Sequence, residues 1–96
     1  MPKIRKQACA ETDLIEIWLY SYEKWGEAQA ERYFDELERA IQQLGRNPEL
    51  GQRCDHIREG FRLLRVNRHV VYYVVAPRFV RIVRVLHERM EPSRNL

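Results

Sequence analysis

The spacing of apolar residues changes once along this chain, and that change constrains its fold more than any other feature. Before Pro48, apolar side chains recur every three or four residues, which is typical of helices that bury one face. After Phe61 they alternate with polar residues, which is typical of strands. The 96 residues can bury one modest core. We therefore predict one α+β domain over residues 1–96, with helices first and most of the sheet second.

Two helices are predicted in the first half. Thr12 is the expected N-cap of the first helix, whose apolar positions continue to Trp25. The second helix is expected to begin near Glu27 and to end before Pro48. The connection between the two helices is as short as Gly26, which predicts an antiparallel helical hairpin. Trp18 and Trp25 are large apolar surfaces, and we expect them to hold the hairpin against the sheet.

Alternation predicts four strands, which gives the element order β-α-α-β-β-β. The segment Val70–Val75 is apolar on both faces, so its strand should lie at the centre of a mainly antiparallel, twisted sheet under the hairpin. Tyr72 and Tyr73 should point to opposite faces, one into the core and one towards an open face. The predicted strands cover residues 3–8, 61–66, 69–76 and 79–86.

Charge is divided unevenly along the chain. Residues 1–57 hold 8 Lys or Arg and 11 Asp or Glu, a net of −3, whereas residues 58–96 hold 9 Arg and 3 Glu, a net of +6. No lysine follows Lys24. Arginine suits forked recognition of carboxylate or phosphate. The division indicates two surfaces with different partners, although a solvated basic face without a ligand is the alternative.

Several classes of protein are not expected. No apolar run reaches the length of a membrane span, and the N-terminus lacks the apolar stretch of a secretory signal. Cys9 and Cys54 are too few for a disulfide framework and suit reduced thiols in a cytoplasmic protein. The histidines lack ligand spacing, so neither a metal site nor a cofactor is expected. They are His56, His69 and His87.

The last predicted strand carries Arg81 and Arg84 and ends near His87. A histidine titrates near neutrality, and the arginines can bind phosphate or carboxylate. Strict alternation would place Arg81 and Arg84 on opposite faces, which argues against a dense catalytic cluster. His87 could contact a target directly, or it could have a structural role with a hydrogen bond to a backbone carbonyl. For His69, at the start of the central strand, a structural hydrogen bond is expected.

Five groups of residues together resemble the ParE branch of the RelE/ParE toxins, which are bacterial toxin–antitoxin components with this element order. Each group is weakly specific alone, but their joint order and spacing extend over nearly the whole chain. They are Asp13–Ile17, Trp25–Ala30, Asn47–Gly51, Gly60–Arg62 with His69–Tyr73, and Arg84–Met90.

The resemblance implies the toxin of a type II toxin–antitoxin system, one that inhibits DNA gyrase by protein–protein binding and not by catalysis. Direct binding of nucleic acid is not expected. The cognate antitoxin is expected to have an acidic, partly disordered tail that folds on the toxin. The expected antitoxin contacts are Arg62, Arg65, Arg81 and Tyr73, and the expected target contacts are Arg84, His87, Arg89 and Met90.

Two alternatives stay open. Toxins similar to RelE cleave messenger RNA on the ribosome, which needs a general base, a general acid and a cationic clamp at one phosphate. In that case Arg65, Arg84 and His87 would form the catalytic site. The chain has no lysine in its second half and lacks the tyrosine that follows the strand-end histidine in some ribosome-dependent members. These differences favour gyrase inhibition. The other alternative is a non-toxic binding module.

Overall fold

The computed structural model describes residues 3–96 and confirms the α+β class, with two helices packed on one sheet. Two short elements were not predicted, namely a strand at Gln52–Arg53 and a helix at Pro92–Asn95. In chain order the elements are β1 (Lys3–Lys6), α1 (Ala8–Trp25), α2 (Glu27–Arg46), β2 (Gln52–Arg53), β3 (Phe61–Val66), β4 (His69–Val75), β5 (Phe79–His87) and α3 (Pro92–Asn95).

The five strands form one sheet in the order β1-β5-β4-β3-β2, so β4 is central as predicted. All neighbouring pairs are antiparallel except β1 and β5, which run parallel. Asn67 turns the chain between β3 and β4 with a φ of 56°. Asparagine tolerates this left-handed conformation better than most residues, which explains a tight turn here without glycine.

Helix α1 begins at Ala8, so the prediction that Thr12 caps it is wrong. The N-cap is Gln7, whose backbone N–H donates to the Ile82 carbonyl at 2.9 Å. The Gln7 carbonyl accepts from the Glu11 N–H at 3.0 Å. Gln7 therefore makes both the last hydrogen bond between the first strand and β5 and the first hydrogen bond of α1, because the chain passes from β1 into α1 without a loop. For the same reason the first strand ends earlier than predicted.

The larger core lies between the helical hairpin and the sheet. Its buried residues are Ala10, Leu14 and Ile17 of α1, Leu37, Ile41 and Leu44 of α2, and Val71, Tyr73, Val80, Ile82 and Val85 of the sheet. The predicted role of the tryptophans is wrong for Trp25, which is 55% exposed. Trp18 is half-buried and stacks on Tyr22, with ring centroids 5.2 Å apart. Smaller residues occupy the inner stripe of α1, and both tryptophans lie beside it.

A smaller core covers the opposite face of the sheet. The loop before β3 and the C-terminal residue pack there, so this face is only partly open. Tyr72 and Tyr73 point to opposite faces as predicted, but Tyr72 is only 5% exposed and belongs to this second core. Its buried members are Cys54, Leu63, Val70, Tyr72 and Leu86, with Ile57, Phe61 and Leu96 packed against them.

A β-bulge in β5 decides which way its last residues face. Tyr72 pairs with Arg84 and Tyr73 with Ile82, so Val83 has no partner on β4. An extra residue reverses the alternation that follows it. By register Arg84 therefore belongs to the same sheet face as Arg81, so the prediction that they occupy opposite faces is wrong, although the Arg84 guanidinium reaches back to Asp13 of α1. The same reversal turns the strand-end histidine towards α1.

Candidate partner-binding groove

His69 and His87 pair across the ends of β4 and β5 on the face that carries the helices. Their ring centroids are 5.3 Å apart and their planes are nearly perpendicular. Together with Tyr20 they line two adjoining pockets between α1 and the turn His87–Met90. We refer to these pockets together as the histidine groove. It combines residues from both ends of the chain, which only the fold brings together.

One half of the groove, the apolar pocket, has a volume of about 260 Å³. Ile17, Val85 and Met90 line it, together with the acidic Asp13 and Glu16 and the basic Arg84. Met90 is 40% exposed. A flexible, polarisable methionine beside an open apolar pocket can adapt to a partner surface. This half suits an apolar side chain better than an anion.

The other half, the basic pocket, has a volume of about 340 Å³. Its cationic side chains are Lys24 of α1, Arg68 of the β3–β4 turn and Arg89 after β5. Tyr20, Trp25 and Tyr33 add aromatic surface, and Ser21 also lines it. Sequence reasoning missed the contributions of α1 and α2 to this site. The contribution of α1 could have been found from its density of aromatic residues, which exceeds what one buried stripe can hold.

Hydrogen bonds fix His69 at the floor of the groove. The Tyr33 hydroxyl lies 2.6 Å from His69 Nδ1, and it accepts a 3.3 Å hydrogen bond from the Arg68 N–H. Both groups are satisfied when Tyr33 donates to a neutral His69. Burial, helped by the neighbouring His87, lowers the pKa of His69 from 6.5 to about 4, so the ring is neutral at pH 7. The predicted structural hydrogen bond of His69 is confirmed.

His87 holds the turn that follows β5. Its Nδ1 accepts from the Arg89 N–H at 3.1 Å. The partner of His87 is therefore a backbone amide, and the expectation of a hydrogen bond to a backbone carbonyl is wrong. The His87 carbonyl accepts from the Met90 N–H at 2.9 Å, and the Glu88 N–H donates to the Arg68 carbonyl at 2.8 Å. These bonds fix the backbone of Arg89 in the basic pocket and of Met90 in the apolar pocket.

Arg84 has a structural role beneath the groove. Its Nε and Nη2 donate to the two carboxylate oxygens of Asp13, each at 2.8 Å, and its Nη1 donates to the Asn95 carbonyl at 2.8 Å. The hydrogen bond to Asp13 raises the pKa of Arg84. Arg84 thus joins α1, β5 and the C-terminal segment. Among the four predicted target contacts, Arg84 differs in that all three of its guanidinium nitrogens already donate hydrogen bonds within the chain.

The predicted antitoxin contacts separate into two groups. Arg65 and Arg81 are exposed, and both lie on the sheet face opposite the groove, where Arg65 pairs with Val70 and Arg81 with Val74. Arg62 faces the other way, and its Nη1 donates to the Gly51 carbonyl at 2.7 Å. The structure therefore leaves Arg65 and Arg81 as the free cations of this set.

Tyr73 cannot contact a partner, so that part of the prediction is wrong. The side chain is fully buried, its hydroxyl donates to the Pro48 carbonyl at 2.7 Å, and it accepts from the Gly51 N–H at 2.9 Å. A Cβ on Gly51 would lie 2.5 Å from the Leu63 carbonyl oxygen and 2.6 Å from the Tyr73 hydroxyl. Tyr73 therefore anchors the loop after α2, and glycine allows the close approach.

The residues of the alternative nuclease site meet only in part. Arg84 and His87 both line the apolar pocket, but Arg84 is paired with Asp13, and Arg65 lies on the sheet face away from the helices. Among residues 3–96, no group of three or more His, Cys, Asp or Glu side chains is placed to hold a metal ion. None of the helices within that range has both the length and the apolar character needed to cross a membrane.

Comparisons with known proteins agree with this architecture. The family described as "ParE toxin of type II toxin-antitoxin system, parDE" matches residues 4–92. Toxin ParE1 of Mycobacterium tuberculosis (strain H37Rv) is 44% identical over 88 residues, which cover 91% of this chain and 90% of the relative. Toxin ParE1 of Caulobacter vibrioides is 38% identical over 96 residues, covering 100% of this chain and 99% of the relative.

A solved structure described as the chromosomal ParDE TA system from P. aeruginosa has a TM-score of 0.81 at 17% identity, covering 91% of this chain and 96% of that chain. This likeness concerns the fold, a helical hairpin on a mainly antiparallel sheet. Taken with the family match, it defines the class as a small α+β toxin with an antitoxin partner. The chain belongs to the ParE toxin family of type II toxin–antitoxin systems, as its sequence motifs indicated.

Proposed function

We propose that this ParE toxin inhibits DNA gyrase by protein–protein binding through the histidine groove. The observation that carries the proposal is the groove itself, an apolar pocket beside a basic pocket, both bordered by the hydrogen-bonded turn His87–Met90. A fixed turn that presents an exposed methionine and an arginine suits an interface anchor, because little conformational freedom is lost on binding.

His87, Arg89 and Met90 are the proposed target contacts. Met90 would enter an apolar site on the target, and Arg89 would meet its acidic groups. Arg84 acts through Asp13 and positions β5 against α1, so we assign it a positioning role. Exposed Tyr20 and Trp25 of α1 extend the same surface, and aromatic side chains are frequent interface anchors.

We assign the antitoxin to other surfaces of the molecule. Ile15, Leu19 and Tyr22 form an exposed apolar stripe along α1 at helical spacing. An antitoxin segment that folds on binding could cover this stripe with apolar side chains. Its carboxylates would meet Arg65 and Arg81, which are exposed on the sheet. An acidic, partly disordered tail supplies both kinds of group.

Ribosome-dependent RNA cleavage receives less support, because its candidate side chains lie on different faces or are paired within the chain. Gyrase acts on the bacterial chromosome, so the proposed function places the toxin in the cytoplasm.

A paired assay tests the proposal. The purified toxin should block gyrase supercoiling and increase the amount of gyrase-cleaved DNA, and it should leave messenger RNA on translating ribosomes intact. The cognate antitoxin, added at equal concentration, should restore supercoiling. Cleavage of messenger with unaffected gyrase would contradict the proposal. Full gyrase activity and intact messenger together would favour the non-toxic binding module.

A further inference from the structure

The basic pocket brings together three cations that have no acidic partner in the described chain. Lys24, Arg68 and Arg89 come from three different segments and line one space. The ion pairs within residues 3–96 involve other cations, namely Lys6, Arg53 and Arg84. Convergence of like charges costs free energy, which a bound anion recovers. The pocket is therefore suited to an anionic ligand.

The anion must bind in this half of the groove. Glu16 lines the adjoining apolar pocket and would repel it, whereas Asp13 and Arg84 in that pocket neutralise each other. Two further carboxylates lie near the basic pocket. Glu36 accepts a 2.6 Å hydrogen bond from the Asn67 side chain, and Glu88 is exposed within the turn His87–Met90. No carboxylate is among the residues that line the basic pocket itself.

Aromatic rings lie beside the cations. Tyr20 and Trp25 are both more than half exposed, and their ring centroids are 6.0 Å apart in an edge-to-face arrangement. Lys24 Nζ lies 5.5 Å from the centre of the Tyr20 ring. Exposed rings next to a cationic site are the combination that single-stranded nucleic acid uses, with bases on the rings and phosphates on the cations.

The backbone beneath two of the cations is fixed before any ligand arrives. The Arg68 N–H donates to the Tyr33 hydroxyl, and the Arg68 carbonyl accepts from the Glu88 N–H. The Arg89 N–H donates to His87 Nδ1. A backbone that is already held by hydrogen bonds loses little of its own conformational entropy on binding, so the cost falls on the side chains alone.

We propose that the basic pocket binds a nucleotide unit, with its phosphate on Lys24, Arg68 and Arg89 and its base against Tyr20 and Trp25. A free nucleoside monophosphate and an unpaired nucleotide of single-stranded DNA offer the same chemistry. A carboxylate from a protein would satisfy the cations but would leave the rings uncovered. The proposal goes beyond gyrase inhibition, because a bound nucleotide would compete with gyrase for Arg89, Tyr20 and Trp25 and would leave Met90 in the apolar pocket available to gyrase. It also departs from the expectation that the chain does not bind nucleic acid.

The test is a fluorescence titration of the toxin, in which a base on Trp25 should quench the emission. The probes are dAMP, inorganic phosphate, deoxyadenosine, an eight-nucleotide oligothymidylate and a hexaglutamate peptide, each at low and physiological salt. We expect dAMP to bind at least about tenfold more tightly than deoxyadenosine or inorganic phosphate. An oligonucleotide that binds still more tightly than dAMP would identify a single strand as the source, and equal affinity would identify the free nucleotide.

Variants identify the pocket. Arg68→Ala and Arg89→Ala should each weaken dAMP binding about tenfold, and the matched change Arg78→Ala, at an exposed arginine in the β4–β5 turn, should leave it unchanged. Trp25→Leu should weaken the binding of dAMP but not that of inorganic phosphate, with binding followed by calorimetry because the reporter ring is lost. Circular dichroism melting checks that each variant is folded.

Three results would overturn the proposal. The first is no binding of dAMP or oligonucleotide at millimolar concentration. The second is hexaglutamate binding as tight as that of dAMP and unaffected by Trp25→Leu, which would assign the pocket to an acidic protein. The third is an equal loss of dAMP affinity in Arg78→Ala and Arg89→Ala, which would indicate non-specific attraction to a basic surface.

Discussion

Arg84 and Asp13 join the last strand to the first helix through two hydrogen bonds of 2.8 Å each. Asp13 is buried, and its Oδ2 also accepts from the Val85 N–H at 2.9 Å. The parallel strand β1 pairs with β5 only as far as Ile82, so the backbone N–H of Val85 needs a partner from elsewhere. One carboxylate thus completes the edge of the sheet and fixes α1 beside the histidine groove.

Removing this carboxylate should destabilise the fold. Asp13→Ala leaves a partly buried arginine unpaired and the Val85 N–H without an acceptor, so we expect a loss of about 3 kcal/mol in the free energy of unfolding. Asp13→Asn keeps an acceptor and should lose about half as much. Urea denaturation measures both, with Glu16→Ala, an exposed neighbour on α1, as the control within about 0.5 kcal/mol of wild type. Equal stability of Asp13→Ala and the control would contradict the role of the pair.

Gly51 and Gly60 should respond differently to the same added methyl group. In Gly51→Ala the Cβ would meet the Leu63 carbonyl and the Tyr73 hydroxyl, so about 3 kcal/mol of stability should be lost. In Gly60→Ala the added Cβ has no atom within 4 Å, and only the positive φ of 83° is unfavourable, at a cost of about 1 kcal/mol. Thermal unfolding of the two variants ranks them. A larger loss in Gly60→Ala would contradict the proposed packing.

His69 should make stability depend on pH between about 6.5 and 4. Because burial lowers its folded-state pKa to about 4, the unfolded chain binds more protons in this range. The stabilisation is complete above pH 6.5 and declines as the pH falls towards 4. Since the ring is partly exposed, the decline should amount to about 1–2 kcal/mol.

His69→Gln provides the comparison, because its amide oxygen can still accept a hydrogen bond from the Tyr33 hydroxyl but does not titrate. Its free energy of unfolding, measured in urea at several pH values, should fall less steeply over the same range. Parallel curves for the two proteins would show that His69 does not contribute.

Charge reversal on the outer sheet face should weaken antitoxin binding. Arg65→Glu or Arg81→Glu would place a carboxylate against the acidic tail, and we expect affinity to fall at least about tenfold, with a smaller effect at high salt. Calorimetry in low and physiological salt measures this. Arg46→Glu, at the end of α2, is the matched control. Unchanged affinity of both sheet variants in both salts would remove this surface from the interface.

The helical hairpin and the three consecutive strands could be predicted because each depends on local periodicity. The bulge at Val83 could not, since the alternating residues of β5 give no sign of an extra residue until its partner strand is known. That one residue decided where Arg84 and His87 face. The pair of Asp13 and Arg84 spans 71 positions, and no local pattern connects them. The groove was predicted only on its β5 side, because α1 has apolar side chains on more than one face and spacing alone did not identify the inner one.

Gyrase inhibition by a groove variant tests the central claim most directly. The concentration of toxin that halves supercoiling activity should rise at least about tenfold in Met90→Asp, which puts a charge into the apolar pocket. It should remain close to wild type in Arg65→Glu, on the opposite face. Met90→Asp should keep its affinity for the antitoxin, which shows that it is folded. Undiminished inhibition by Met90→Asp would contradict the assignment of the histidine groove to gyrase.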